Sequence, residues 1–353
     1  MPQPPDVVIV IPTLNEAAHL GAVLDGLLAD GVTAPIWIVD GGSTDATRAI
    51  AASYAAAIPG VALIDNPARA QAAAVNLAAR RATAAGARVL IRMDAHARYP
   101  AGFVAALLDR LEATGADSVA VPLIARGTAG WQAAAAALQR GWLGHGGATH
   151  RRRTDGGWVD HGHHAAVRLD RFLALGGYDT RFAANEDAEF DLRLTAGNGR
   201  IWLAGDLPVT YLPRASPAAL ARQMARNGRW RMETLLRHRR RPALRQALPM
   251  AAAMSLPLAA LAPVWPPLAL PAASYLGAVA TLSATSAGLR LAPAVALLAI
   301  LSHLAFGGAA LARLAAALPG LRSNPGRQVS PGPSRHPPPS PRAPLRPTAR
   351  LPA

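Results

Sequence analysis

Ten residues near the start, Val7 to Glu16 (VVIVIPTLNE), constrain the fold more than any other stretch of this chain. An unbroken β-branched run, VVIVI, makes a strand buried on both faces, as in the interior of a parallel sheet. The run stops at Pro12-Thr13, and Asn15 is placed to cap a helix continuing through Glu16. A second strand, Ile36 to Val39, ends in Asp40-Gly-Gly-Ser-Thr-Asp45. Open α/β sheets bind ligands at strand ends of this kind, where a carboxylate meets a flexible turn rich in donors.

The pattern repeats. A strand at Val61 to Ile64 leads to a helix over Ala70 to Ala85, and a stronger strand, Val89 to Met93, ends in Asp94-Ala-His96. Strands alternating with helices predict an α/β fold with a doubly wound parallel sheet, whose strand-end loops converge on one crevice. The common nucleotide-binding alternatives lack their residues: no G-x-G-x-x-G follows the first strand, and no G-x-x-x-x-G-K-[ST] loop occurs anywhere.

Charge divides the chain unevenly. All 36 basic residues are Arg, and no Asp or Glu follows Glu233, so nearly all of the net charge of +15 sits in the C-terminal third. The absence of Cys excludes disulfides, thiolate catalysis and Cys-based zinc sites. From Gln246 to Leu289 there is no charged residue, and a further apolar stretch runs from Leu291 to Ala312. This predicts two to three transmembrane helices within residues 246–318, turning first near Pro266-Pro267. The Arg237 to Arg245 cluster places the preceding domain in the cytoplasm of a multi-pass membrane protein. Such a position makes membrane lipid, and no nucleic acid, the partner of the surplus charge. The opening MPQPPD has no basic n-region and predicts no signal peptide, and the Pro- and Arg-rich tail, 321–353, predicts disorder.

Three segments carry candidate chemistry. Asp94-Ala-His96 closes the strand from Val89 and offers a carboxylate and an imidazole, ligands that suit Mn²⁺ among other ions. Asn185-Glu186-Asp187-Ala-Glu189-Phe-Asp191-Leu-Arg193 sets an acidic turn at a helix start, which the helix dipole alone would favour. Gln223, Arg226 and Trp230 share one helical face ahead of the apolar region, as a substrate contact or as interfacial anchoring. His161, His163 and His164 within GGWVDHGHH lack metal-ligand spacing and do not predict a zinc site.

In this order, PTLNE, VDGGSTD, RMDAHARYP and GGYD followed by NEDAEFDLR resemble the family 2 glycosyltransferases, inverting enzymes of the GT-A fold. RMDAHARYP also resembles the corresponding segment of bacterial succinoglycan-type exopolysaccharide glycosyltransferases. The resemblance implies a GT-A domain over residues 1–240 that moves a sugar from a nucleotide-diphospho-sugar, a UDP-sugar by family habit, to a lipid-linked or polysaccharide acceptor. Under it, Pro12, Thr13, Asn15, Glu16, Asp40, Arg69 and Asp94 bind the donor. Asp94 and His96 hold a divalent metal, Mn²⁺ or Mg²⁺, where relatives carry D-x-D. Asp187 is the catalytic base, with Glu189 and Asp191 orienting it or facing solvent. Glu186, Gln223, Arg226 and Trp230 fall on the acceptor side, the last three through an interrupted Q-x-x-R-W element. Two alternatives share these motifs: a polyprenyl-phosphate sugar transferase, and a non-catalytic sugar-nucleotide-binding membrane protein.

Overall fold

A computed structural model describes residues 6–147 and 155–318, so the predicted disordered tail, 321–353, lies outside the described residues. Strands β1 (Val7–Thr13), β2 (Ile36–Asp40), β3 (Val61–Asp65) and β4 (Val89–Arg92) form a parallel block in the order β3-β2-β1-β4. Val8 to Ile11 are fully buried, and side chains alternate across the pleat. Val7, Ile9 and Ile11 pack toward α1 (Leu20–Ala29), α2 (Thr47–Ala57) and α4 (Phe103–Thr114). Val8 and Val10 pack toward α3 (Gln71–Ala84), α7 (Leu169–Ala174) and α8 (Glu186–Ala196). Helices therefore cover both faces, as the uniform apolar run requires.

Beyond β4 the sheet is mixed, which corrects the expected all-parallel arrangement. Strand β9 (His163–Arg168) lies antiparallel between β4 and β6 (Ser118–Val121), pairing Ile91 with Ala166 and Val121 with His163. Parallel to β6 runs β10 (Ile201–Leu203), and β8 (Gly157–Val159) closes that edge antiparallel. Because β9 runs backwards, its first residues arrive at the edge where the parallel strands end. A second, three-stranded sheet holds β5 (Ala97–Arg98), β11 (Val209–Tyr211) and β7 (Leu123–Ala125). Asn15 does not cap the following helix: α1 begins at Leu20, and Asn15 sits in a turn with φ 58°.

The C-terminal third packs on helices that lie outside the two layers covering the main sheet. Helices α5 (Gly130–Arg140) and α6 (Trp142–His145) precede the β8–β9 region, and α9 (Pro217–Arg237) follows β11. Ser216 caps α9 through the Ala219 amide, at 3.2 Å, with Pro217 opening the helix. Then come α10 (Leu244–Ala259), which carries Pro249 and Pro257, and α11 (Leu270–Ala315).

Among the described residues one run, Pro266–Ala315, is long and apolar enough to cross a membrane, where two to three separate spans were expected. Helix α10 has only 16 residues, roughly 24 Å of rise against about 30 Å of hydrocarbon. Nor is α11 straight, because Gly288 has φ 71° and ψ 160°. Across that break Tyr275 Oη meets His303 Nδ1 at 3.1 Å. Residues that far apart in a continuous helix would stand about 42 Å apart. The two arms of α11 therefore fold back on each other. The second arm packs on α9, where Gly228 lets the Phe306 carbonyl approach, and on α10, where Gly307 does the same for Pro249. The pair Arg313 Nε–Glu233 Oε2, at 2.5 Å, ties α11 to α9. Away from these contacts the unit exposes Val264 (87%), Leu289 (84%) and Trp265 (59%), an apolar outer surface that water alone would not favour.

Candidate active site

At the C-terminal edge of the parallel strands, the turns after β1 and β2 are laced together. Asn15 Oδ1 accepts from the Thr44 amide at 2.9 Å, and the Asn15 amide donates to Ser43 Oγ at 2.9 Å. The Glu16 amide donates to Thr47 Oγ1 at 2.7 Å. Asp40 is buried and accepts from the Gly42 and Ser43 amides, from the Thr13 and Ser43 hydroxyls, and from Arg48. Burial opposes its charge, yet these donors hold its carboxyl below the ordinary carboxylate value. The carboxylate shapes this turn before any ligand arrives.

Arg69 also adopts a left-handed backbone, φ 57°, ahead of α3, and its guanidinium lies over Gly42. Gly42 itself has φ 83°, a left-handed backbone that suits glycine in this turn. Pro12, Thr13, Glu16, Arg69, Asp94 and His96 all border one cavity of about 170 Å³. Six of the residues expected to bind donor or metal are thus brought together, while Asn15 and Asp40 stand behind the cavity as turn formers.

On the cavity's far wall, Asp94 Oδ1 meets Arg92 Nη2 at 3.3 Å and Asp94 Oδ2 meets His163 Nε2 at 3.3 Å. Burial would raise its pKa, but the adjacent Arg92 holds the carboxyl well below the usual carboxylate range. Tyr99 donates its hydroxyl to the Asp94 carbonyl at 3.2 Å, steadying the turn. His96 is half-exposed, and its Nδ1 is engaged by Glu16 Oε1 at 2.9 Å, which leaves Nε2 for a ligand. Among the described residues no three His, Asp or Glu groups converge as a metal cluster. Asp94 and His96 therefore suit a cation held jointly with oxygens from a bound diphosphate, and do not by themselves enclose one.

Asp187 lies at the start of α8, after Asn185 with φ 61°. Burial favours its neutral form, but His161, His164 and Arg92 outweigh it and bring its pKa down to about 2. Glu186 moves the other way, raised by burial and by Asp187, although Arg92 Nη1 stands 3.7 Å away. Asp191 is fully buried and binds two imidazoles, His161 Nδ1 at 2.6 Å and His164 Nε2. His164 Nδ1 in turn meets Tyr178 Oη at 2.7 Å. Glu189, also buried, grips Arg193 through two nitrogens, and Arg193 donates to the carbonyls of Leu175 and Gly177. Asn76 of α3 bonds both the amide and the carbonyl of Tyr178, at 2.8 and 2.7 Å. The acidic helix is thereby fixed to the Gly176-Gly177-Tyr178 turn.

Asp187 borders a second, larger cavity of about 360 Å³ between the sheet domain and the C-terminal helices. His161 and His163 stand beside Asp187, and Leu248, Pro249 and Phe306 line the end formed by α10 and α11. Of the residues expected on the acceptor side, Gln223 faces this cavity, whereas Glu186 is turned toward Arg92. Arg226 is exposed and Trp230 packs on Phe182, ring centroids 5.0 Å apart; neither borders the cavity. Asn227 and Arg231 border it instead, continuing the face of Gln223 at steps of four residues. That spacing was readable; which stripe of α9 turns inward was not, because Arg and Trp occupy its other stripes too.

A profile of the family described as glycosyl transferase family 2 matches residues 8–174. The succinoglycan biosynthesis protein ExoA of Rhizobium meliloti (strain 1021) is 45% identical over 247 residues, covering 69% of this chain and 74% of that protein. Among solved structures, the mannosyltransferase PcManGT from Pyrobaculum calidifontis, in complex with GDP-Man and Mn²⁺, is similar with a TM-score of 0.60. That match covers 88% of this chain and 87% of the other at 22% identity, and speaks to fold.

Proposed function

The chain belongs to glycosyl transferase family 2 and has the α/β GT-A fold, and on that premise we propose that it is an inverting hexosyltransferase. Its donor is a nucleotide-diphospho-sugar, read as a UDP-sugar, and its acceptor a lipid-linked or polysaccharide glycan of exopolysaccharide assembly. The similarity to ExoA supports the pathway class. One observation carries the reading most: a cavity bordered by Asp94 and one bordered by Asp187 lie on either side of the contact between Asp94 and His163. The arrangement suits a donor and an acceptor approaching one reacting carbon from opposite sides.

In this reading Asp187 takes the proton from the acceptor hydroxyl as its oxygen attacks the anomeric carbon. The new glycosidic bond forms while the carbon–oxygen bond to phosphate breaks, and its electron pair leaves with the nucleoside diphosphate. Arg69 and the start of α3 bind the donor phosphates. Asp94 and His96 would hold a divalent metal, whose chemistry is to offset negative charge on the departing phosphate. Arg92 positions Asp94 and faces Glu186, so it links the donor and acceptor walls.

A panel of nucleotide sugars, read by thermal stabilisation with and without Mn²⁺, tests the donor half. Stabilisation by one sugar nucleotide, enhanced by Mn²⁺ and lost in EDTA, is expected. Stabilisation by none would contradict the transferase reading.

A further inference from the structure

Asp94-Ala-His96 carries one carboxylate where a D-x-D carries two, and the fold supplies the second from a distant motif. Glu16, the last residue of PTLNE, places Oε1 2.9 Å from His96 Nδ1, and both side chains border the donor cavity with Asp94. With a neutral imidazole, Asp94 and Glu16 return to this wall the charge that a D-x-D would bring. Glu16 is held from three directions. Its amide donates to Thr47 Oγ1 at 2.7 Å, the following amide of Ala17 donates to Asp45 Oδ2 at 3.2 Å, and its carbonyl accepts from the His19 and Leu20 amides, each at 3.0 Å. His96 sits in an equally fixed turn, closed by the Ala97 amide on the Asp94 carbonyl at 3.2 Å, with Ala95 buried beneath it.

The contact decides which nitrogen of His96 faces a ligand. An ionised carboxylate only accepts hydrogen bonds, so Nδ1 carries the hydrogen and Nε2 keeps the position that a cation can take. Glu16 is the one hydrogen-bond partner of His96 among the described residues, so no competing contact sets the ring. Imidazoles that bind metals are oriented in this way by a carboxylate on the other nitrogen, which also makes the ring a stronger donor to the ion. The same carboxylate favours positive charge on the ring side, whether a proton or a cation brings it. We propose that Glu16 is a positioning residue of the metal site, acting through His96 by fixing its tautomer and ring orientation, and not by contact with the donor. This rests on the transferase reading and gives Glu16 a part different from the donor contact that its motif predicts.

The test is Mn²⁺ binding to the full chain in nanodiscs of zwitterionic lipid, followed by electron paramagnetic resonance with and without saturating UDP. Glu16→Ala should weaken Mn²⁺ binding by about 10–100-fold, as the loss of an outer partner of a metal ligand does. Glu16→Gln, whose amide oxygen can still accept from Nδ1–H, should weaken it by a smaller factor. Affinity for UDP in EDTA should stay within about twofold in both variants, the margin expected of independent sites. In a His96→Ala background, Glu16→Ala should change Mn²⁺ affinity by no more than about twofold, because the two side chains act as one unit. A full further loss in that background would show Glu16 acting apart from His96 and would overturn the proposal. Unchanged Mn²⁺ affinity in Glu16→Ala would overturn it as well. So would UDP affinity lost in EDTA, which would make Glu16 a donor contact. Failure of both UDP and GDP to bind the unmodified chain would count against the transferase reading, while the Mn²⁺ titrations without nucleotide would still decide the part played by Glu16.

Discussion

Neighbouring carboxylates at Glu186 and Asp187 are driven apart by their surroundings, one raised by burial and the other lowered to about 2 by His161, His164 and Arg92. Asp187 is lowered, so it stays ionised and ready to accept a proton until the pH falls through that value. Its own titration should leave kcat flat between about pH 5 and 8. A pH–rate profile checks this, and an acid limb in that window would have to persist in Asp191→Asn to be laid on Asp187. His164 behaves oppositely. Burial opposes its charge, but Asp191 raises its pKa above the ordinary imidazole value, as Glu16 does for His96. Stability from the His164–Asp191 pair is therefore full below about pH 6.5 and lost as pH rises through the higher folded value. Melting temperatures across that range should decline with pH, and Asp191→Asn should flatten the slope; an unchanged slope would place the dependence elsewhere. The sequence displayed all of these residues. It could not display that Asp191 clamps two imidazoles, because that contact joins α8 to β9 through folding alone.

Among the elements, β1 to β4 were legible because each is an unbroken apolar run ending in a turn. Strand β9 was not. HHAAVR mixes polar and small residues, and only its antiparallel insertion beside β4 explains how His163 reaches Asp94. Helix α8 shows why motif charges need separate roles. Glu189 and Arg193 are structural, so Arg193→Met should leave the buried Glu189 carboxylate with the His238 imidazole as its remaining ion-pair partner and cost about 2–3 kcal/mol, seen as a melting point several degrees lower. A loss no larger than that of a surface Arg substitution would contradict the assignment. For α11, a composition apolar but for Arg290 and Arg313 was legible, but its reversal at Gly288 was hidden among other glycines. Because the chain has no Cys, Tyr275→Cys with His303→Cys can be probed cleanly. A short bis-maleimide should join the two arms within one chain; a straight helix would give no intramolecular product.

On the scale of the whole molecule, a sheet domain and an apolar helical unit share one large cavity, with Asp187 at one end and α10 and α11 at the other. The exposed apolar surface of that unit and the adjacent Arg237 to Arg245 cluster predict firm membrane association. The protein should stay with the membrane pellet in alkaline carbonate and come away with detergent, and release by carbonate alone would contradict it. Everything proposed about catalysis converges on Asp187. The most direct test is Asp187→Asn, which keeps the shape and removes the proton acceptor, measured for kcat and for nucleotide-sugar affinity in parallel. The account predicts that kcat falls by about 10²–10⁴-fold while donor affinity barely moves. Turnover within a few-fold of the unmodified protein, or donor binding lost together with turnover, would contradict it.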